Sequence, residues 1–197
     1  MSYPASDPLG LPQLAALVLR ELPTKKTVLV AESFSSLVAL TLLVQAPGRI
    51  RAVIFVGGFA EPPRPLLLRF APLVARYAGL MRAAPAFVLR QYCLGSAAAS
   101  DLKMLRDALG TVSPQVLAKR LDLVATRHSF GKGRFDVPCR YLRASHDRLV
   151  PEHCATWFQQ RFHECEVVDI DGPHFLLQMR ARNAAEAIAR WIRSLPA

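Results

Sequence analysis

The apolar residues of the chain follow two alternating patterns, short runs rich in β-branched residues and longer segments with helical spacing. The short runs predict buried parallel strands, and they cover residues 27–31, 50–56, 139–143 and 164–170. Helical patterns cover 11–22 and 151–162, and a capping box formed by Asn183 and Glu186 predicts the start of a last helix. Strands that alternate with helices predict an α/β fold with a parallel sheet and right-handed crossovers.

The segment between the second and third predicted strands differs from the rest of the chain. From residue 61 to 135 there is no strand pattern, and proline and glycine interrupt the helical patterns. The predicted helices of this segment cover 66–80, 86–94, 101–109 and a stretch that begins at Ser113-Pro114. We expect 61–135 to form a helical lid at the edge of the sheet, and residues 1–60 and 136–197 to form the core.

The stretch Thr27–Val44 joins the first strand to a helix that is apolar on every side. A serine at the tip of a tight strand-turn-helix has its hydroxyl pushed out of the sheet, and the start of the helix offers free N–H groups to a developing oxyanion. Ser33 holds this position, between the small residues Ala31 and Ser35, where the usual pattern has glycines. Ser33 is therefore the candidate nucleophile, although an ordinary strand-to-helix turn would give the same pattern.

Two further polar residues follow later strands. Asp147 lies in a polar loop after the third strand, and His174 lies in a tight loop after the fourth. Loops after parallel strands open at one edge of a sheet, so these two side chains and Ser33 are expected to meet. A histidine can take the proton of the serine while the aspartate fixes the imidazole tautomer. The sequence therefore predicts a Ser-His-Asp triad.

Other acids and histidines compete for these roles. Asp169 lies within a strand and Asp171 shares the loop of His174, so Asp147 is the preferred acid. The remaining histidines are His146, His153 and His163, which we interpret as surface residues, and His128, a candidate for lining the pocket.

Composition restricts the partners of the protein. With 197 residues and 52% apolar content, the chain is long enough for one buried domain with an insertion. Its net charge of +10 comes mostly from arginines that are scattered through the chain, so nucleic acid is not the expected partner. The longest uncharged stretch, Ser33–Gly48, is shorter than the roughly 18–20 apolar residues of a membrane span. We expect no membrane span.

The cysteines and the N-terminus indicate a cellular location. Four cysteines lie far apart without metal-ligand spacing, which favours buried free thiols in a reducing compartment. They are Cys93, Cys139, Cys154 and Cys165. The first residues lack the charge order of a secretory signal. We expect a cytoplasmic protein that uses no metal and no cofactor.

Four segments of the chain resemble the α/β-hydrolase superfamily, and within it small carboxylesterases similar to the pimeloyl carrier-protein methyl esterases. The segments are AESFSS, RIRAVIFVGG, ASHDRLVP and DGPHFLLQ. The resemblance implies an α/β-hydrolase fold with an N-terminally shortened parallel sheet of about four strands and a helical lid over an acyl pocket.

The same resemblance implies a role for each site residue. Ser33 would be the nucleophile, Asp147 the acid and His174 the base, and the N–H of Phe34 would donate to the oxyanion. Phe59 and Phe175, which follow the second strand and the candidate base, are the expected substrate-binding residues.

The chain departs from this family at its start. Family members carry several strands before the strand-turn-helix of the serine, and a His-Gly loop among them donates to the oxyanion. The sequence begins after these strands. Loss of one oxyanion donor typically lowers the rate by about 10²–10³. We therefore expect a slow enzyme, or an oxyanion hole completed by residues 2–12 or by a partner chain. The strand at 27–31 would lack one neighbour, so we also expect a homodimer or an N-terminal segment that covers this edge.

These observations predict a serine hydrolase that acts on carboxylic or thio esters with an apolar acyl group, either small or carrier-linked. The alternative is a catalytically weak or inactive relative that binds an apolar ligand or a protein partner. Arginines in the first half of the lid could steer an acidic carrier toward the site, or they could only keep the lid soluble. They are Arg64, Arg69, Arg76, Arg82 and Arg90.

Overall fold

The computed structural model describes residues 2–65, 85–95 and 98–196. Four parallel strands form one sheet, and their order in the sheet is their order in the chain. They are β1 (Thr27–Glu32), β2 (Ile50–Val56), β3 (Cys139–Ala144) and β4 (Cys165–Ile170). The predicted parallel sheet of four strands is confirmed, and each strand ends within one residue of its predicted bounds.

Helices connect the strands. They are α1 (Leu11–Glu21), α2 (Ser35–Gln45), α3 (Ala86–Leu89), α4 (Ala99–Thr111), α5 (Pro114–Ala125), α6 (Cys154–Arg161), α7 (Leu176–Met179) and α8 (Ala181–Ser194). A 3₁₀ turn covers Pro47–Arg49, and α3 continues as a wider π-helical turn over Arg90–Leu94. In the part of the chain that the structure describes, no helix is long and apolar enough for a membrane span.

Strand β2 is apolar on both faces because both faces of the sheet are covered. Val53 and Phe55 pack into one core cluster together with residues of α1, α2 and α6. Ile54 and Val56 point the opposite way, into a second cluster with α7 and α8. A strand buried on both sides needs a continuous apolar run rather than an alternating one, and residues 52–56, AVIFV, have that pattern.

Two predicted helix starts are wrong. Helix α8 begins at Ala181, so Asn183 and Glu186 lie inside the helix, and Glu186 accepts a hydrogen bond from Arg182 at 3.1 Å instead of forming a capping box. Arg180 alone lies between α7 and α8. The start of α8 is therefore set by the packing of the buried residues of the two helices and not by a local polar cap. Helix α6 begins at Cys154, after a turn, and not at Pro151.

The described part of the predicted lid is helical. Ser113 caps α5 as predicted, since its hydroxyl accepts the N–H of Val116 at 3.3 Å. The predicted helix with an apolar face over 66–80 lies outside the described residues, as do Arg69, Arg76 and Arg82. The division into a core and a lid stays a prediction.

The N-terminal segment packs against α5 and against the turn that carries Ser33. Ala5 accepts a hydrogen bond from the N–H of Ser113 at 2.8 Å, and Pro4 accepts one from Arg120 at 3.2 Å. The Tyr3 ring contacts Phe34 edge to face, with centroids 6.1 Å apart. The segment therefore lies beside the turn that carries Ser33.

The outer edge of β1 remains open within the described ranges, where β2 is its only partner strand. A groove of about 290 Å³ follows this edge and is lined by β1, α1, α2 and Tyr3. Val30, in the middle of the strand, is 44% exposed.

The cysteines are free thiols, as predicted, but only Cys139 and Cys154 are buried, whereas Cys93 and Cys165 are partly exposed. Cys139 and Cys165 stand opposite each other in β3 and β4 with their sulfur atoms 3.2 Å apart.

Candidate active site

The turn between β1 and α2 holds Ser33 in a strained conformation. Ser33 has a φ of +53°, and it is the one residue other than glycine with a positive φ in the described ranges. Its N–H donates to the carbonyl of Val56 at 2.9 Å, which fastens the turn to the end of β2. A left-handed conformation of a residue with a Cβ costs about 1–3 kcal/mol and occurs mainly where the surrounding structure enforces it.

Ser36 joins this turn to the loop after β2. Its hydroxyl is fully buried and lies 2.7 Å from the carbonyl oxygens of both Ser33 and Phe59, so its single proton can serve either one. The same oxygen accepts the N–H of Phe59 at 3.0 Å. A Cβ on Gly58 would lie 3.0 Å from the Cβ of Ser36, so a side chain there would force Ser36 to shift.

Ser33, His174 and Asp147 form a continuous chain of hydrogen bonds. The hydroxyl oxygen of Ser33 lies 2.8 Å from Nε2 of His174, and Nδ1 of His174 lies 2.7 Å from Oδ2 of Asp147. A carboxylate only accepts hydrogen bonds, so Nδ1 carries the proton and Nε2 is free to accept from the serine. This is the tautomer that a histidine base requires.

The Asp147 carboxylate is itself fixed by its own loop. Its second oxygen accepts the N–H groups of Leu149 at 2.9 Å and Val150 at 2.8 Å. The side chains of His174 and Asp147 are only 2% and 4% exposed. Burial excludes water that would compete for these bonds, so the pair keeps its orientation.

Gly57 backs the aspartate–histidine pair from the end of β2. Its φ is +51°, and a Cβ there would lie 3.2 Å from Oδ2 of Asp147 and 3.4 Å from Nδ1 of His174. The sequence shows two glycines after the second strand, but it does not show what they face. Gly57 and Ser36 are thus site residues that sequence reasoning missed; a buried serine in an otherwise apolar helix was the available signal.

Phe34 directly follows Ser33 and precedes α2. Among the described residues, its N–H has no hydrogen-bond acceptor, so it is free to donate to an oxyanion. Tyr3 lies close by, where its phenol interacts with the Ser35 side chain, and burial raises the pKa of that phenol. The Arg120 guanidinium lies 5.8 Å from the centroid of the Tyr3 ring.

The two predicted substrate-binding residues lie in different surroundings. Phe59 is 3% exposed and packs in the core. Phe175 lines an apolar cavity of about 200 Å³ together with residues of α4, Leu94 and Gln178. The Phe175 ring packs against the imidazole of His174 with centroids 5.1 Å apart, so this cavity lies close to His174. Phe175 is therefore better placed than Phe59 to contact a substrate.

A second cavity, of about 1110 Å³, lies between the α3 segment and the loops of Asp147 and His174. Its lining is more polar than that of the cavity beside Phe175 and includes Arg90, Arg148 and Arg180. Nearby, burial and the charge of Asp147 raise the pKa of the Cys93 thiol to about 11, which makes this thiol a poor nucleophile at neutral pH.

The competing acids and histidines take part in other contacts. Asp169 binds Arg143, and that hydrogen bond lowers the pKa of Asp169. Asp171 pairs with His146 at 3.0 Å on the surface. The other histidines are His163, which pairs with Asp136, His153, which is exposed, and His128, which contacts the carbonyl of Leu123 at 2.7 Å. Of the histidines, His174 is the one that contacts Ser33.

Several solved structures resemble the protein closely in fold but share little of its sequence. The enol-lactonase from Burkholderia xenovorans LB400 superposes with a TM-score of 0.79 at 17% identity, over 96% of this chain and 75% of that one. A thermophilic esterase from Thermogutta terrifontis gives 0.78 at 19% identity, over 95% and 72%. MGS-M2, an alpha/beta hydrolase enzyme from a Medee basin deep-sea metagenome library, gives 0.73 at 15% identity, over 94% and 71%.

The chain has the α/β-hydrolase fold. No family model matches the sequence, and no curated protein matches it either. The α/β-hydrolase fold accounts for the order of the site along the chain, because β1, β3 and β4 each end in a loop that carries one member of the hydrogen-bonded chain.

Proposed function

We propose that the protein is a serine hydrolase that cleaves carboxylic or thio esters with an apolar acyl group. The observation that carries this proposal is the hydrogen-bonded chain from Ser33 through His174 to Asp147, with Ser33 strained at the tip of its turn. Strain at a single residue that also meets a histidine is typical of a nucleophile.

The reaction begins when the oxygen of Ser33 attacks the carbonyl carbon of the ester and its proton passes to Nε2 of His174. Asp147 stabilises the resulting imidazolium, and the N–H of Phe34 donates to the oxyanion. The tetrahedral intermediate collapses, the bond to the leaving oxygen or sulfur breaks, and His174 returns the proton to that atom. Water then attacks the acyl-serine by the same route and releases the acid.

The apolar cavity beside Phe175 supports an apolar acyl group. It adjoins a cluster of buried leucines, Leu89, Leu94 and Leu102, against which Phe175 and Met179 pack. A chain of methylene groups gains about 0.8 kcal/mol for each group buried in such a site. The neighbours named as an enol-lactonase and an esterase are compatible with an ester substrate.

A second candidate function is an inactive or very slow relative that binds an apolar ligand or a partner. It is favoured by the oxyanion site, where the N–H of Phe34 is the one backbone donor beside Ser33 that we identify in the described residues. An oxyanion held by one donor instead of two lowers the rate by about 10²–10³.

One experiment separates these candidates. The parent protein is treated with a fluorophosphonate probe and assayed with a short p-nitrophenyl ester, next to Ser33→Ala and to Ser194→Ala as a control at the distant end of α8. A hydrolase turns over the ester and carries the probe on Ser33, and both signals vanish in Ser33→Ala alone. A parent that neither reacts nor turns over would support the binding protein.

The finer expectations remain part of the proposal. The substrate is a small-molecule or carrier-linked ester, the cellular location is cytoplasmic, and residues 61–135 cover the acyl site as a lid. Either two copies associate through the outer edge of β1 or the N-terminal segment covers that edge. Arg64 and Arg90 are the described members of the arginine group proposed to attract an acidic carrier. Of these two, Arg90 lines the large cavity beside the site.

A further inference from the structure

Glu32 is the last residue of β1 and directly precedes Ser33. Its carboxylate does not point to solvent alone but contacts the segment that follows His174. Oε1 accepts the N–H of Leu177 at 3.0 Å, and Oε2 accepts the side-chain amide of Gln178 at 2.9 Å. One side chain therefore links the strand of the nucleophile to the loop of the base.

The segment that Glu32 holds is short. Helix α7 begins at Leu176, two residues after His174, and the N–H of Leu176 donates to the carbonyl of His174 at 3.0 Å. The N–H groups of a first helical turn have no partner within the helix, so a carboxylate can take one of them. Leu176 is fully buried, so Glu32 and the core together hold α7 on both sides.

The site needs such a link because β1 and β4 are the two outer strands of the described sheet. Two strands, β2 and β3, separate the strand that carries Ser33 from the strand that leads to His174. The distance of 2.8 Å between Ser33 and His174 is thus set by loops rather than by direct strand pairing.

Burial raises the pKa of Glu32, while the hydrogen bonds from Leu177 and Gln178 and the nearby His174 act in the opposite direction. A half-buried carboxylate is unfavourable unless its partners compensate for lost water.

We propose that Glu32 is a positioning residue that holds Leu177 and Gln178, and through them His174, at the distance from Ser33 that proton transfer requires. This inference rests on the proposed function. It predicts that loss of the link slows the chemical step more than it weakens substrate binding, because Glu32 does not itself line the acyl cavity, although Gln178, one of the residues it holds, does. An error of about 1 Å in such a distance can lower a rate by about 10²-fold.

The test compares Glu32→Ala, Glu32→Gln and the matched control Glu186→Ala, whose carboxylate forms an exposed pair on α8. In Glu32→Ala we expect kcat and the rate of fluorophosphonate labelling to fall about 10- to 100-fold, with a clearly smaller change in KM. Glu32→Gln keeps an acceptor for Leu177, and the Gln178 amide can turn to match it, so we expect most of both rates to return. Parent rates in Glu32→Ala, or no rescue by glutamine, would overturn the proposal.

A spectroscopic readout separates this proposal from the proposed function. The proton on Nδ1 of His174, in its hydrogen bond to Asp147, gives a downfield NMR resonance that needs no substrate. We expect it to shift or broaden in Glu32→Ala and to return in Glu32→Gln, even if the parent is catalytically slow. A resonance unchanged in Glu32→Ala would overturn the role of Glu32 and leave the triad intact. If Glu32→Ala does not fold, Gln178→Ala removes one of the two bonds and should give a smaller change of the same kind.

Discussion

Nε2 of His174 lies 2.8 Å from the hydroxyl oxygen of Ser33, although 141 residues separate them in the chain. With strands about 4.8 Å apart, the end of β4 is roughly 14 Å from the end of β1. The His174 loop must therefore pass back over the ends of β3 and β2 to reach the serine. Asp147 follows β3 and binds the imidazole on the way, and Gly57 at the end of β2 leaves room beneath the pair.

The first prediction concerns the space that Gly57 leaves next to Asp147 and His174. Gly57→Ala introduces a Cβ 3.2 Å from the Asp147 carboxylate and forces alanine into a φ of +51°. We expect kcat for a p-nitrophenyl ester to fall about 10- to 100-fold, because the aspartate–histidine pair must shift. The conformational strain should also lower the free energy of unfolding by about 1 kcal/mol or more.

Gly48→Ala is the matched control, since nothing lies within 4 Å of a Cβ at Gly48 and its φ is not positive. It should retain parental activity and stability. Equal activity in both alanine variants would contradict the argument that Gly57 is needed for the site.

The second prediction is that the triad acts as a unit. Ser33→Ala and His174→Ala should each abolish turnover, and the double variant should be little worse than either one, because each step needs both groups. The measurement is kcat/KM for the same ester, with folding checked by circular dichroism. Losses that multiply in the double variant would show that the two residues act independently.

The third prediction distinguishes the two candidate acids. Asp147→Asn leaves the shape of the site but no longer fixes the productive tautomer of His174, so kcat should fall by about 10⁴. Asp169→Asn should leave kcat unchanged, because Asp169 binds Arg143 on the surface and not the imidazole. A large loss in Asp169→Asn with activity retained in Asp147→Asn would reverse the assignment.

The fourth prediction uses the same Asp169→Asn variant to test stability against pH. The hydrogen bond from Arg143 lowers the pKa of Asp169, so this carboxylate stabilises the fold above its unfolded pKa and loses that effect as the pH falls through the folded one. At neutral pH the parent should be more stable than the variant, by no more than about 1 kcal/mol because the pair is exposed and screened. Denaturant unfolding should show this difference vanishing at acidic pH, and a difference that grows at low pH would have the wrong sign.

The contact between Ser33, Asp147 and His174 could be predicted from the sequence because the place of each residue depends on a local pattern. Ser33, Asp147 and His174 each follow an apolar run that forms a strand, and parallel strands place such loops at one edge. Strand β2 was predicted to the residue, since Arg49 and Gly57 bound a run that is buried on both faces.

The contacts around the triad could not be predicted because they join residues far apart in sequence. Glu32 meets Leu177 across 145 residues, and Ser36 meets Phe59 across 23. No local pattern records such partners. The predicted start of α8 was wrong for a related reason. Asn183 has the sequence pattern of a cap, but the packing of α7 and α8 places the helix start at Ala181.

The fifth prediction concerns the outer edge of β1, which has no partner strand in the described ranges and where the exposed Val30 lines a groove of about 290 Å³. An apolar edge without lysine or proline inside the strand is a template for pairing with another chain. We expect the parent to sediment as a dimer or larger species, with a fraction that rises with concentration. Val30→Lys should shift it to the monomer, because a charge in the middle of an edge strand opposes pairing.

Val44→Lys is the control, since Val44 is similarly exposed, at 49%, but lies at the end of α2. A parent that stays monomeric at every concentration, or equal dissociation by both lysine variants, would show that β1 does not mediate association.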